Sequence, residues 1–204
     1  MKLLLFSDLH NDRDAASSLV KRAAGVDVVI GAGDFCNVRK GLNITLGILR
    51  AITKPTILVA GNNETTDELT SACAGWKSAH VLHGCGVEVN GVAFFGVGGG
   101  IPITPFGPWS YDFDEQQAAS LLAECPTDCV LVVHSPPKGC VDVSSRGASI
   151  GSTAIRDVIL RVRPRLVVCG HIHGSNGKTE ELDGVPVVNA GPDGIEWELA
   201  ERVR

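Results

Sequence analysis

Five short apolar runs frame this chain: Leu3–Phe6, Val26–Ile30, Thr56–Ala60, Val130–Val133 and Leu166–Cys169. Nearly continuous apolar runs of this length are what strands buried on both faces require. Between them lie stretches with helix-like spacing, at about residues 12–24, 42–52, 114–124 and 152–162, and a capped helix start at Thr65-Thr66-Asp67-Glu68. Strands that alternate with helices predict an α/β layer architecture with mostly parallel strands.

Two segments break the rhythm. "VEVNGVAFFGVGG" and "KTEELDGVPVVNAG" place Asn-Gly and Asp-Gly between β-prone stretches, a strong hairpin signal. "IEWELA" alternates as a half-buried strand does. Antiparallel strands are therefore expected beside the αβ units, as a second sheet. The segment from 98 to 113, rich in Gly, Pro and aromatics, reads as a long surface loop. Its Pro102, Pro105, Phe106, Pro108 and Trp109 suit a stiff wall beside a pocket, or a cover packed over the second sheet.

The ends of the five runs carry the chemistry. They deliver Asp8 and His10, Asp34, Asn62, His134, and finally His171 with His173. Taken singly, each has an ordinary explanation: an Asp after a strand caps a helix, and Asn62-Asn63 makes a turn. Together they are metal-capable side chains at the carboxyl ends of strands, where open α/β sheets bind ligands. Seven ligands exceed the need of one ion, and a carboxylate can bridge two cations ~3.5–4 Å apart. Imidazole mixed with oxygen donors suits Mn, Fe, Zn, Co or Ni, with Mn favoured here. Two divalent ions beside only two carboxylates leave a positive site that attracts anions.

Composition narrows the partners. The 204 residues are expected to form one domain over 1–204, and the net charge of −5 argues against long nucleic acid. Seven cysteines without paired spacing read as thiols of a reducing compartment. No apolar stretch has membrane-spanning length, and the N-terminus lacks a signal-peptide core. A cytoplasmic protein with no membrane partner is expected.

The blocks Asp8-x-His10, Gly33-Asp34, Gly61-Asn62-Asn63-Glu64, His134 and Gly170-His171-x-His173 resemble, in order, those of the calcineurin-like metallophosphoesterase superfamily, in a small member of bacterial or archaeal type. The resemblance implies a four-layer α-β-β-α sandwich of two mixed sheets flanked by helices. It implies that Asp8, His10 and His173 bind one divalent ion, that Asn62, His134 and His171 bind a second, and that Asp34 bridges them. It places Asp34, Asn62, Asn63 and His134 in the catalytic centre of a hydrolase, with a small phosphodiester as substrate and a metal-bridging hydroxide as nucleophile. A phosphomonoesterase, a protein phosphatase, a nuclease and a scaffold without catalysis are the competing readings.

One position departs from the family pattern. Many members have a His where this chain has Asn63, and that His helps protonate the leaving group. An amide has no such proton to give, so the rate is expected to depend steeply on leaving-group pKa. Arg146 is a candidate phosphate contact. His80 and His83 read as surface or structural residues, and Gly-rich 96–100 as turn material.

Overall fold

The computed structural model describes residues 1–200. In chain order its strands are β1 (Lys2–Phe6), β2 (Val28–Gly31), β3 (Thr56–Leu58), β4 (Ala79–Val81), β5 (Cys85–Val89), β6 (Val92–Val97), β7 (Val130–Val133), β8 (Leu166–Cys169), β9 (Thr179–Leu182), β10 (Val185–Asn189) and β11 (Ile195–Glu198). The α-helices are α1 (Arg13–Arg22), α2 (Leu42–Leu49), α3 (Thr66–Cys73), α4 (Glu115–Leu121) and α5 (Thr153–Val162).

One sheet runs β11-β1-β2-β3-β4, the other β5-β6-β7-β8-β10-β9. Each has a parallel centre, and the antiparallel strands β11, β5 and β9 lie at edges. The expected division of labour therefore differs in detail. β7 and β8, read as members of the αβ series, stand in the second sheet between the two hairpins, while "IEWELA" closes the first sheet against β1. Runs buried on both faces carry no register signal of their own, so sheet membership is set by packing.

The hairpins form as the turn residues require. Asn90-Gly91 (φ 52° and 76°) and Asp183-Gly184 (φ 53° and 76°) both have positive φ at each central position. Helix starts are likewise local. Asp12 accepts from the Asp14 and Ala15 N–H groups, and Thr65 with Glu68 and Asp114 with Gln117 form reciprocal capping boxes.

Side-chain alternation builds the layers. Leu3 and Leu5 face the space between the sheets, with Phe94, Val132 and Val168 opposite. Leu4 and Phe6, on the other face of the same strand, pack under α1, α2 and α3 with Leu19, Leu46 and Leu69. The outer face of the second sheet is covered by α4 and α5 through Ala118, Ile155 and Ile159. The result is helices, sheet, sheet, helices, as the resemblance implied. Among the described residues no helix is long and apolar enough to cross a membrane.

Candidate active site

The parallel strands of both sheets end on one side of the sandwich, and their exits meet there. Two groups of side chains form. Asp8, His10 and His173 bring their donor atoms within 4.8 Å of one another, and so do Asp34, His134 and His171. The groups adjoin: His10 Nε2 lies 3.6 Å from Asp34 Oδ2 and 4.0 Å from Asp8 Oδ1. Asn62 joins the second group, its Oδ1 3.4 Å from His134 Nε2.

Reaching a common point strains the chain. Asp8, His10, Asp34 and His171 all have left-handed backbone, with φ of 55°, 46°, 59° and 68°. Such angles are uncommon outside glycine and persist where surrounding contacts fix them. Gly33 and Gly61 permit the convergence. A Cβ on Gly33 would sit 2.6 Å from the Gly61 Cα, and one on Gly61 would strike the Asp34 carboxylate.

Each donor is held by a partner behind it. Asp8 accepts from Ser7 Oγ at 2.5 Å and from the His171 N–H at 3.0 and 3.1 Å. Ser7 is itself fixed by the Gly191 N–H. His134 Nδ1 is 2.7 Å from the Ala32 carbonyl, and His10 Nδ1 is 3.2 Å from the Cys36 carbonyl. A carbonyl can only accept, so both rings carry a proton on Nδ1 and turn Nε2 toward the site. Asn62 Nδ2 donates to Ser110 Oγ at 3.0 Å, and Ser110 donates to Asp112 Oδ1 at 2.8 Å. Thr104 donates to Asp112 Oδ2 from both Oγ1 and its backbone N–H. This chain of bonds turns the Asn62 Oδ1 toward His134.

Asn63 is committed inward. Its backbone N–H and Nδ2 donate to the two Asp34 oxygens at 2.8 and 2.7 Å, and its Oδ1 accepts from the Val38 N–H at 2.7 Å. The amide thus orients Asp34 and pins the turn after β2, although it also lines the cavity. Glu64 works from beneath. Fully buried, it accepts from the Gly61, Asp34, Phe35 and Cys36 N–H groups and ties the exits of β2 and β3 together. Burial and the Asp34 charge push its carboxyl up to about 7 against the pull of the Gly61 N–H, His134 and the Cys36 thiol.

The electrostatics are those of carboxylates facing imidazoles. Burial raises the Asp34 and Asp8 carboxyls, but the imidazoles override it, chiefly His134 for Asp34 and His173 for Asp8, and both carboxyls sit below their ordinary value. Burial pulls His134 down, yet Asp34 raises it to about 9, while burial and His134 together lower His171 to about 4. Among the described residues, only histidines form ion pairs with Asp8 and Asp34. Two buried carboxylates without Lys or Arg beside them among the described residues, ringed by imidazole nitrogens and an amide oxygen, fit divalent cations.

The site opens into a cavity of about 340 Å³ lined by His10, Asp34, Asn62, Asn63, His171 and His173, and by Phe106 and Trp109 from the long loop. A larger cleft of about 730 Å³, beside α2 and α3, contains none of these donors. Arg146 is exposed and does not line the cavity, whereas its neighbours Ser144 and Ser145 do. His80 lies within β4, a parallel edge strand, and His83 follows it. His83 accepts from the Gly98 N–H and packs against Phe113, outside the cavity. Ser7, Ser110 and Asp112 were missed by sequence reasoning. Glu64 had a signal, its place directly after Gly61-Asn62-Asn63, whereas Ser110 and Asp112 had none.

Comparison with known proteins places the chain. The curated relative it matches is a probable rhamnogalacturonate lyase C of Emericella nidulans, 27% identical over 196 residues. That match takes in 87% of this chain but only 18% of that protein. The protein TT1561 of Thermus thermophilus superposes with a TM-score of 0.75 at 21% identity, covering 94% of this chain and 90% of that one. The phosphopantetheinyl hydrolase of Mycobacterium tuberculosis does so with a TM-score of 0.59 at 16% identity, covering 93% and 88%. These likenesses speak for the fold. Residues 1–199 match the calcineurin-like phosphoesterase superfamily domain, which spans every strand exit described above, and the chain belongs to that superfamily.

Proposed function

We propose that the protein is a dinuclear metal-dependent hydrolase of small phosphodiesters. The observation that carries this reading is the pair of adjoining clusters, with Asp34 of the second 3.6 Å from His10 of the first, where both open into one cavity. Asp8, His10 and His173 would hold one divalent ion, Asn62, His134 and His171 would hold the other, and Asp34 would serve both. Bound divalent ions supply Lewis-acid charge to the phosphate oxygens and lower the pKa of a water. Mn is the favoured metal for this donor set, with Fe, Zn, Co and Ni as the other candidates.

The chain's own residues orient the parts. Asn63 aims both oxygens of Asp34, Ala32 and Cys36 set the ring protons of His134 and His10, and Ser110 turns Asn62. A cavity of about 340 Å³ supports a small substrate rather than a polymer or a folded phosphoprotein. With its amide engaged by Asp34 and Val38, Asn63 offers no proton to a departing oxygen, so good leaving groups are preferred. The seven free thiols support a reducing compartment such as the cytoplasm.

The test strips metal with a chelator and reloads Mn, Ni, Co or Zn. Bis(4-nitrophenyl) phosphate and 4-nitrophenyl phosphate are then compared. Diester turnover that follows metal content and exceeds monoester turnover is expected. Metal-loaded protein that hydrolyses neither ester would leave the scaffold reading in its place.

A further inference from the structure

The cavity has two unlike halves. Beyond the imidazoles and amides of the clusters, its wall is Phe106, Trp109, Ile150 and Ile172, with Ser144 and Ser145 between. Phe106 and Ile150 are 52% and 45% exposed, and Phe106 stacks on Trp109 with ring centroids 5.8 Å apart and planes 13° from parallel. Large apolar side chains gathered at the mouth of a cavity mark a binding surface.

Anchoring the loop does not account for them. Its base is fixed by hydrogen bonds at Gly100 and Asp112, and Tyr111 and Phe113 pack inward on each other and on His83. Phe106 and Trp109 belong to none of the three core clusters. The wall formed by the aromatic and aliphatic side chains carries no charged group. Among the described residues no Lys or Arg lines the cavity, and the Arg39 guanidinium is bound to Glu68 and to the Trp109 carbonyl. A second phosphate on the substrate would meet no fixed cation there.

We propose that Phe106, Trp109 and Ile150 form a subsite for a flat, uncharged aromatic group borne by the phosphate at the clusters. The preferred substrate is then an ester with a single phosphate whose second substituent is aromatic. The proposal rests on the hydrolase reading for turnover but not for binding. An aromatic face buries apolar area against the Phe106–Trp109 pair and loses no charge solvation, which a charged substituent would.

Two esters that share one leaving group isolate the subsite: phenyl 4-nitrophenyl phosphate and methyl 4-nitrophenyl phosphate. The wild-type protein should favour the phenyl ester in kcat/KM by at least ~10-fold, since even one methylene in an apolar pocket is worth ~10–200-fold in discrimination. Phe106→Ala and Trp109→Ala should each cut that ratio several-fold, and Trp109→Phe should keep most of it. Binding is read separately by calorimetry on metal-loaded protein, with phenyl phosphate, methyl phosphate and phenyl diphosphate as probes. Phenyl phosphate should bind tightest.

Equal affinity for phenyl and methyl phosphate would overturn the subsite whether or not the variants fold, as would tighter binding of phenyl diphosphate. Selective binding of phenyl phosphate without turnover of any ester would keep the subsite and remove the hydrolase reading. Turnover with no phenyl preference would do the reverse.

Discussion

The two clusters use the same side-chain types and differ in how they are supported. In the first, the His173 side chain is 58% exposed and starts a short 3-10 turn, and it touches only Asp8 and His10 across 3.6 and 3.1 Å. In the second, His134 is fully buried and braced by Ala32, Asp34 is held through both oxygens by Asn63, and Asn62 is held by Ser110. The second cluster is braced at Asp34, His134 and Asn62, whereas the first contains one largely exposed side chain, His173. Burial therefore separates the clusters: the second is held more deeply, while both contribute side chains to the cavity. The second metal position is expected to hold its ion more tightly.

The change that should do most damage erases the distinction. Asp34→Asn removes the carboxylate that belongs to the second cluster and lies 3.6 Å from His10 of the first, so activity should fall to background and both ions should be lost. Elemental analysis after dialysis checks this, with Asp12→Asn, which weakens only the cap of α1, as the control. Wild-type metal content in Asp34→Asn would show that Asp34 serves neither ion.

Next comes the contrast between histidines. His134→Ala strands a buried carboxylate, and losing one partner of a buried pair costs about 3–5 kcal/mol. His173→Ala, at an exposed position, should leave thermal stability near wild type and deplete only the first position. The pH dependence has a definite sign. Because His134 is raised from 6.5 to about 9 in the folded protein, its contribution is complete below about pH 6.5 and is lost as pH rises toward 9. Metal-free wild type should lose stability across that window, and His134→Ala should lose less. Parallel melting curves for the two proteins would remove the difference in support.

A smaller effect is expected behind Asn62. Ser110→Ala frees its amide to rotate and should weaken the second metal ~10–100-fold, the usual cost of losing a supporting bond to a ligand. The first position should titrate as in wild type. Equal weakening at both positions would mean that the loop acts on the fold rather than on Asn62.

The smallest expected effect separates two roles for Asn63. If the amide mainly positions Asp34, Asn63→His should lower stability by about 1–3 kcal/mol, the cost of leaving buried groups unpaired. The steep dependence of rate on leaving-group pKa should remain. A flattened dependence in the variant would show instead that a new imidazole reaches the departing oxygen.

How much was legible follows from the range of each interaction. The exits at Asp8, Asp34, Asn62, His134 and His171 could be read because a strand followed by a polar turn is a local pattern, and five of them fall in order. The partners behind the ligands could not. Ala32 and Cys36 act through backbone carbonyls, which any residue would present. Ser110 meets Asn62 across 48 positions, and nothing in "PWSYDF" distinguishes it. The inward commitment of Asn63 was hidden for the same reason, because it depends on Asp34 and Val38, 29 and 25 positions away.

The sequence by itself determined the alternation of strands and helices, the two hairpin turns, the helix caps and the set of metal-capable side chains, because each depends on neighbours within a few residues. Tertiary structure decided the rest. It placed β7 and β8 in the second sheet and β11 in the first, left His173 the one exposed member of the two clusters, and set the aromatic pair beside the cavity while Tyr111 and Phe113 turned inward. Those outcomes depend on which faces pack together and on which distant backbone groups need a partner. Strands that are apolar on both faces leave that choice to the assembled core.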